Sequence, residues 1–152
     1  MSAPVGKYFE EYVVGESMTT RARTITEADI VQFGSLTGDF NPMHFDADYM
    51  NQHLLGKRVA HGMLTLSYAV GQAYQLGFLE RTVLAFRAIE MKFSEPVFIG
   101  DTISVEITIK ETKEAGRLGG GLVTFEVRIL NQHGKPVQKG DWVVLIASKP
   151  SA

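Results

Sequence analysis

Residues 37–72 read TGDFNPMHFDADYMNQHLLGKRVAHGMLTLSYAVGQ, in two halves of different kind. The first contains Gly38-Asp39-Phe40-Asn41-Pro42-Met43-His44-Phe45-Asp46 and is polar. Proline has no N–H and pushes the preceding residue to extended backbone, so Asn41-Pro42 forbids continued helix and makes 39–46 a bent loop. The second half begins at His61-Gly62, and no acidic or basic residue other than His61 occurs from Val59 through Leu79. It reads as a helix over 62–76 stopped by Gly77, apolar almost all round and needing cover on most sides. The run is long enough to span a bilayer. However, His61, Thr65, Ser67, Gln72 and Gln75 interrupt it. A core helix of a soluble domain is the better reading.

Upstream, residues 1–12 look like an irregular arm with little to fix it, and 13–24, with Thr19, Thr20 and Thr24, suit an edge strand. Thr26-Glu27-Ala28-Asp29 opens a helix: Thr26 can cap, acids fill the first turn, and Ile30, Phe33 and Gly34 share a face up to about Thr37-Gly38. Between the two halves lie a short helix over 48–55 and a polar turn at Gly56-Lys57-Arg58.

After Arg81 the period changes to alternation. The strand over 83–93 is apolar on nearly both faces; 103–110 and 123–129 alternate apolar with polar, and 142–146 is a shorter apolar run. Short Gly-, Pro- and Asn-rich separators imply an antiparallel meander. Helices early and strands late argue α+β, with a curved antiparallel sheet wrapped about the long helix. The whole chain, 1–152, reads as one domain.

Composition excludes several classes. A net charge of −2 gives no electrostatic reason to expect nucleic acid or an anionic membrane. With no cysteine there is no disulfide, thiolate metal site or cysteine nucleophile, in agreement with a reducing compartment. The N-terminus lacks the apolar core of a signal peptide, so a cytoplasmic location is expected.

The chemistry sits at Asp39 and His44. Imidazole passes protons near neutral pH, and a nearby carboxylate can orient it or share the work. The bend at Asn41-Pro42 lets both side chains face one cleft and hold one water; the plainer alternative is a surface turn with Asp39 capping and His44 solvated. Gly62, at the amino end of a buried helix, can present its N–H to a carbonyl without a side chain in the way. Its plainer role is close packing. His53 and His133 sit in polar surroundings, His61 shapes the start of the helix, with contact to substrate as its other reading, and no metal-ligand spacing appears among the four histidines.

These residues resemble a family. G-D-x-N-P-x-H-x-D at 38–46, Val59-Ala60-His61-Gly62-Met63-Leu64, and Phe93-Ser94-Glu95-Pro96-Val97-Phe98-Ile99-Gly100-Asp101 together look like the MaoC-like (R)-specific enoyl-CoA hydratases. The resemblance implies a hot-dog fold, in which the sheet wraps the long helix. It also implies a homodimer with one continuous sheet, or an assembly of such dimers, and an active site near the subunit interface. The implied reaction is reversible hydration of a trans-2-enoyl-CoA to the (R)-3-hydroxyacyl-CoA, in fatty acid metabolism or a related pathway. Asp39 and His44 would hold the water and Gly62 N–H the thioester oxygen. Asn41 matches the motif and shapes the loop, and Asp46 reads as structural.

No metal or cofactor is implied, coenzyme A entering only as the substrate's carrier, with acyl carrier protein as the other carrier. Met63, Leu66, Val70 and Tyr74 are candidates to line an acyl tunnel. Lys57, Arg58, Arg87 and Lys92 are candidates for the carrier's phosphates, Arg87 foremost because it interrupts an apolar strand face and a buried arginine needs a partner. Two other readings compete: a hot-dog thioesterase, in which acid-activated water attacks the carbonyl, and a non-catalytic acyl-thioester-binding subunit. The histidine after Asn41-Pro42-Met43 argues against the first, and retention of both Asp39 and His44 against the second.

Overall fold

The structure, a computed structural model, describes residues 5–151. Its elements run β1 (Ser17–Thr19), β2 (Arg23–Thr24), α1 (Glu27–Thr37), α2 (Pro42–Phe45), α3 (Ala47–Asn51), α4 (Gly62–Gln75), β3 (Val83–Phe93), β4 (Thr102–Ala115), β5 (Gly120–Leu130) and β6 (Pro136–Ala147). The class is α+β, with an antiparallel sheet wrapped on α4.

Alternation places the core. Ile103, Val105, Ile107 and Ile109 of β4, and Val123, Phe125, Val127 and Ile129 of β5, turn inward against Leu64, Leu66, Ala69 and Ala73 of α4. Strands β4, β5 and β6 form the expected meander. Strand β3 departs from it, pairing with β6 rather than β4, so the order is β1-β4-β5-β6-β3 with β2 also on β4. The connection after β3 therefore crosses the sheet, and β3 becomes an edge. That position explains its apolar character on both faces: Leu84, Phe86, Ile89 and Phe93 remain exposed in the single chain.

Other expectations shift in detail. The strand expected over 13–24 is two short ones interrupted at Thr20–Ala22, where Gln72 Nε2 donates to Arg21 O at 2.7 Å. Of the N-terminal arm, residues 1–4 lie outside the described residues, but the rest is anchored. Gly6 and Lys7 N–H donate to Glu80 O and Phe78 O at 2.7 and 2.9 Å, and Tyr12 is buried with its hydroxyl on Phe78 O. Residues 142–146 are the centre of a twelve-residue strand, β6. Nor is α4 covered all round: Met63, Ser67, Gly71 and Tyr74 form an open face.

Helix α1 is fixed at its start. Thr26 Oγ1 accepts from Asp29 N–H, and Asp29 Oδ2 accepts from Thr26 N–H at 2.8 Å. The buried Asp29 carboxylate also takes Arg23 of β2 at 3.0 Å and the Tyr68 hydroxyl of α4 at 2.8 Å. One carboxylate thus ties α1 to the sheet edge and to the central helix. No helix among the described residues is long and apolar enough to cross a membrane.

Candidate active site

Helix α1 ends on Gly38, whose φ of 80° favours glycine and whose N–H donates to Gly34 O at 2.8 Å. The chain then turns through Asp39, whose Oδ1 accepts from Asn41 N–H at 3.2 Å. Asn41 Oδ1 accepts in turn from Met43 N–H at 3.1 Å. The bend expected over 39–46 therefore contains one helical turn, α2, with Asn41 as its cap and Pro42 at a position where no N–H is needed. Asp46 caps α3 through Tyr49 N–H at 2.9 Å.

That single turn points His44 inward. Its Nδ1 lies 2.8 Å from Val59 O. A carbonyl only accepts, so Nδ1 carries the hydrogen and Nε2 keeps a lone pair. Nε2 faces Asp39 Oδ2 at 3.9 Å, too far for a direct hydrogen bond and suited to one water touching both. His44 is buried while the Asp39 side chain is 51% exposed, so the pair lies at a boundary between core and solvent. Burial pushes the His44 imidazole below its ordinary pKa, reinforced by His61; the bond to Val59 O and the Asp39 charge pull the other way.

Two further groups fasten this loop. Arg58 Nε donates to His44 O at 2.7 Å, and its guanidinium also pairs with Glu27 at 2.7 Å. His61, 2% exposed, has Nε2 at 2.9 Å from Asp39 O and stacks its ring on His44 with centroids 3.8 Å apart. Nothing in the spacing of the sequence signals either contact, because each joins residues 14 to 22 positions apart.

Asp39, His44 and His61 each offer an atom within 4.8 Å of the others, a set of cation-binding type that the sequence did not reveal. The two rings are tilted only 28° apart, so their in-plane lone pairs run side by side rather than toward one point. His61 Nε2–H is also committed to the Asp39 carbonyl. The arrangement fits proton handling better than tetrahedral or octahedral metal binding.

Gly62 opens α4, and the residue before it supplies no side-chain cap. First-turn N–H groups have no acceptor within a helix. A Cβ at position 62 would lie 2.8 Å from Phe93 Cδ1, so the Phe93 ring packs on the bare backbone here. Gln138 Nε2 holds Gly62 O at 2.8 Å. Gly62 lines a cavity of about 330 Å³ with Met43, Thr65, Phe93 and Gln138; Asp39 and His44 are not in its wall. A second, more apolar cavity of about 340 Å³ lies toward the other end of α4, between Val70, Tyr74, Phe86, Phe125 and Trp142.

The remaining candidates scatter. Met63 is 56% exposed on the open face of α4. Arg87 is exposed on the edge strand β3 with no ion-pair partner among the described residues, so the expectation of a buried, partnered arginine fails. The reason is topological: the chain itself does not cover the outer side of β3. Lys57 sits over the Phe98 ring at 4.1 Å, while Lys92, His53 and His133 are exposed.

Comparison with known proteins bears on this geometry. The sequence profile described as "MaoC like domain" matches residues 10–130. Over 108 residues, 70% of this chain, the sequence is 44% identical to Protein MaoC of Klebsiella aerogenes, of whose length the match spans only 32%. It is 32% identical over 143 residues to a protein of Rhodospirillum rubrum named (R)-specific enoyl-CoA hydratase, covering 93% of each. The fold is similar to a crystal structure from Archaeoglobus described as a monoamine oxidase regulatory protein, with TM-score 0.90, 36% identity, and coverage of 99% of this chain and 100% of that one. A loop holding Asp39 against His44, a glycine-opened core helix and a sheet wrapped around it are thus the parts of a hot-dog domain, and the chain belongs to the MaoC-like domain family.

Proposed function

We propose that the protein catalyses reversible addition of water to a trans-2-enoyl thioester, giving the (R)-3-hydroxyacyl thioester. The observation that carries this reading is the His44 Nε2 lone pair facing the Asp39 carboxylate at 3.9 Å, in a ring whose pKa burial lowers. The Rhodospirillum rubrum relative, covered over 93% of its length, supports the reaction class.

In the proposed mechanism one water sits between Asp39 and His44. Its oxygen attacks C3 while His44 Nε2 takes one of its protons. The C2=C3 π pair moves toward the thioester oxygen, where the Gly62 N–H and the positive end of α4 stabilise the enolate. The imidazolium, held beside Asp39, returns its proton to C2 as the enolate collapses. Water is added and nothing is oxidised or reduced. Asn41 acts through the loop it caps.

The reading extends to partners. Coenzyme A is the carrier, acyl carrier protein the other source of the thioester, and no metal or cofactor takes part. The exposed apolar edge of β3 would pair with a second copy in a homodimer. The cavity beside Val70 and Tyr74 would take an acyl tail.

The test is hydration of crotonyl-CoA by the purified protein beside Asp39→Asn and His44→Ala. Loss of the enoyl absorbance with (R)-3-hydroxybutyryl-CoA as product, reduced by about 10²-fold or more in each variant, is expected. Release of free thiol instead would move the protein to the thioesterases.

A further inference from the structure

The Asp39–His44 pair is not held by its own loop alone. His61 reaches both members: its Nε2–H donates to the Asp39 carbonyl at 2.9 Å and its ring lies flat on His44, centroids 3.8 Å apart. It is buried among aromatic rings, with Phe33 at 5.0 Å and Phe45 at 5.9 Å between centroids, and its Nδ1 has no partner among the described residues. A buried ring nitrogen without a partner is costly, and an apolar ring would fill the same space without that cost. What only a histidine or its equivalent supplies here is the donor to Asp39 O. His61 also directly precedes Gly62, so the ring that touches the loop stands at the start of α4.

We infer that His61 is a positioning residue, setting the distance between the Asp39 carboxylate and His44 Nε2. This rests on the hydratase reading for its effect on rate, but not for its effect on the His44 titration. The groups facing His44 are Asp39 from the loop after α1, His61 from the start of α4, and the Arg58 guanidinium on its own carbonyl, itself neutralised by Glu27 of α1. Beside the burial that lowers the His44 pKa, the stacked His61 lowers it further and Asp39 raises it.

Two substitutions separate the parts. His61→Gln removes the ring and keeps an amide able to reach the Asp39 carbonyl. His61→Phe keeps a stacked ring and removes the donor. The rate of enoyl-CoA hydration and the NMR titration of the His44 imidazole are measured in both variants and the parent. In His61→Phe, kcat is expected to fall by about 10²-fold with KM within about twofold, since an ångström of misplacement costs that much. His61→Gln is expected to recover most of it. The His44 titration midpoint is expected to rise in both variants, since His61 is one of the groups that lower it.

Equal kcat values in the two variants, or an unmoved His44 midpoint, would overturn the inference and leave His61 a core residue. If the parent protein hydrates no enoyl thioester, the functional reading fails instead. The NMR midpoints in parent and variants still decide whether His61 acts on His44.

Discussion

His44 shows how one side chain combines folding and chemistry. Its Nδ1–H is committed to Val59 O at 2.8 Å, which fixes the tautomer, and burial makes its charged form unfavourable. The sign for stability follows. His44 binds its proton less readily folded than unfolded, so the unfolded chain carries more protons in the window below its ordinary value of 6.5, and stability falls as pH drops through it. We expect urea-unfolding free energies to decline from about pH 8 to about pH 5, and His44→Gln to flatten that slope. An unchanged slope in the variant would place the titrating group elsewhere. The carboxylates act in a separate, lower window, since Asp29, although burial pushes it up, is held below 3.8 by the bonds from Thr26, Tyr68 and Arg23.

Gly62 raises a different question at the same scale, because the contact with Phe93 and the proposed oxyanion role both favour glycine. A Cβ there meets the ring of Phe93, a half-exposed side chain able to swing away. Gly62→Ala keeps the N–H but sets a methyl beside it, and the displaced thioester is expected to cost about 10²-fold in kcat with little change in unfolding midpoint. The double variant Gly62→Ala/Phe93→Ala relieves the packing and should remain slow; recovery of rate there would make Gly62 a packing residue.

At the scale of elements, α1 matters most for the site because Asp39 follows directly from its C-terminal cap. Its other end is fixed by Asp29, which accepts from Thr26, Arg23 and Tyr68 at 2.8 to 3.0 Å. Asp29→Asn is expected to lower the unfolding free energy by about 2 kcal/mol, and Tyr68→Phe by about 1 kcal/mol, measured by chemical denaturation. Parent-like stability in Asp29→Asn would show that apolar contacts of Ile30 and Phe33 hold the helix without the polar network. The start of this element was legible in Thr26-Glu27-Ala28-Asp29, since a cap and an acid three residues later are local features. The reach of Asp29 to Tyr68, 39 positions away, was not.

For the whole molecule, the informative element is β3. An edge strand that exposes Leu84, Phe86, Ile89 and Phe93 is an incomplete surface, and pairing with a second copy would close it. Ile89→Lys places a charge in that seam. Sedimentation is expected to report a dimer for the parent and a monomer for the variant, with loss of the proposed hydration activity. A variant that stays dimeric would put the seam on another face.

Local chemistry determined what the sequence alone could show. The uncharged run before Gly77 gave the central helix, strict alternation gave β4 and β5, and the order of helices and strands gave the α+β class. Asn41-Pro42 gave the bend, because proline acts on its own neighbours. The motif residues Asp39, His44 and Gly62 were named from that pattern and from resemblance. Only the tertiary structure decided that β3 pairs with β6 and lies at an edge, that Arg87 is exposed, and that Arg58 and His61 grip the loop between Asp39 and His44. The reason is range: propensity, capping and periodicity act over a few residues, whereas strand order and ring stacking depend on how distant segments meet once the core has closed.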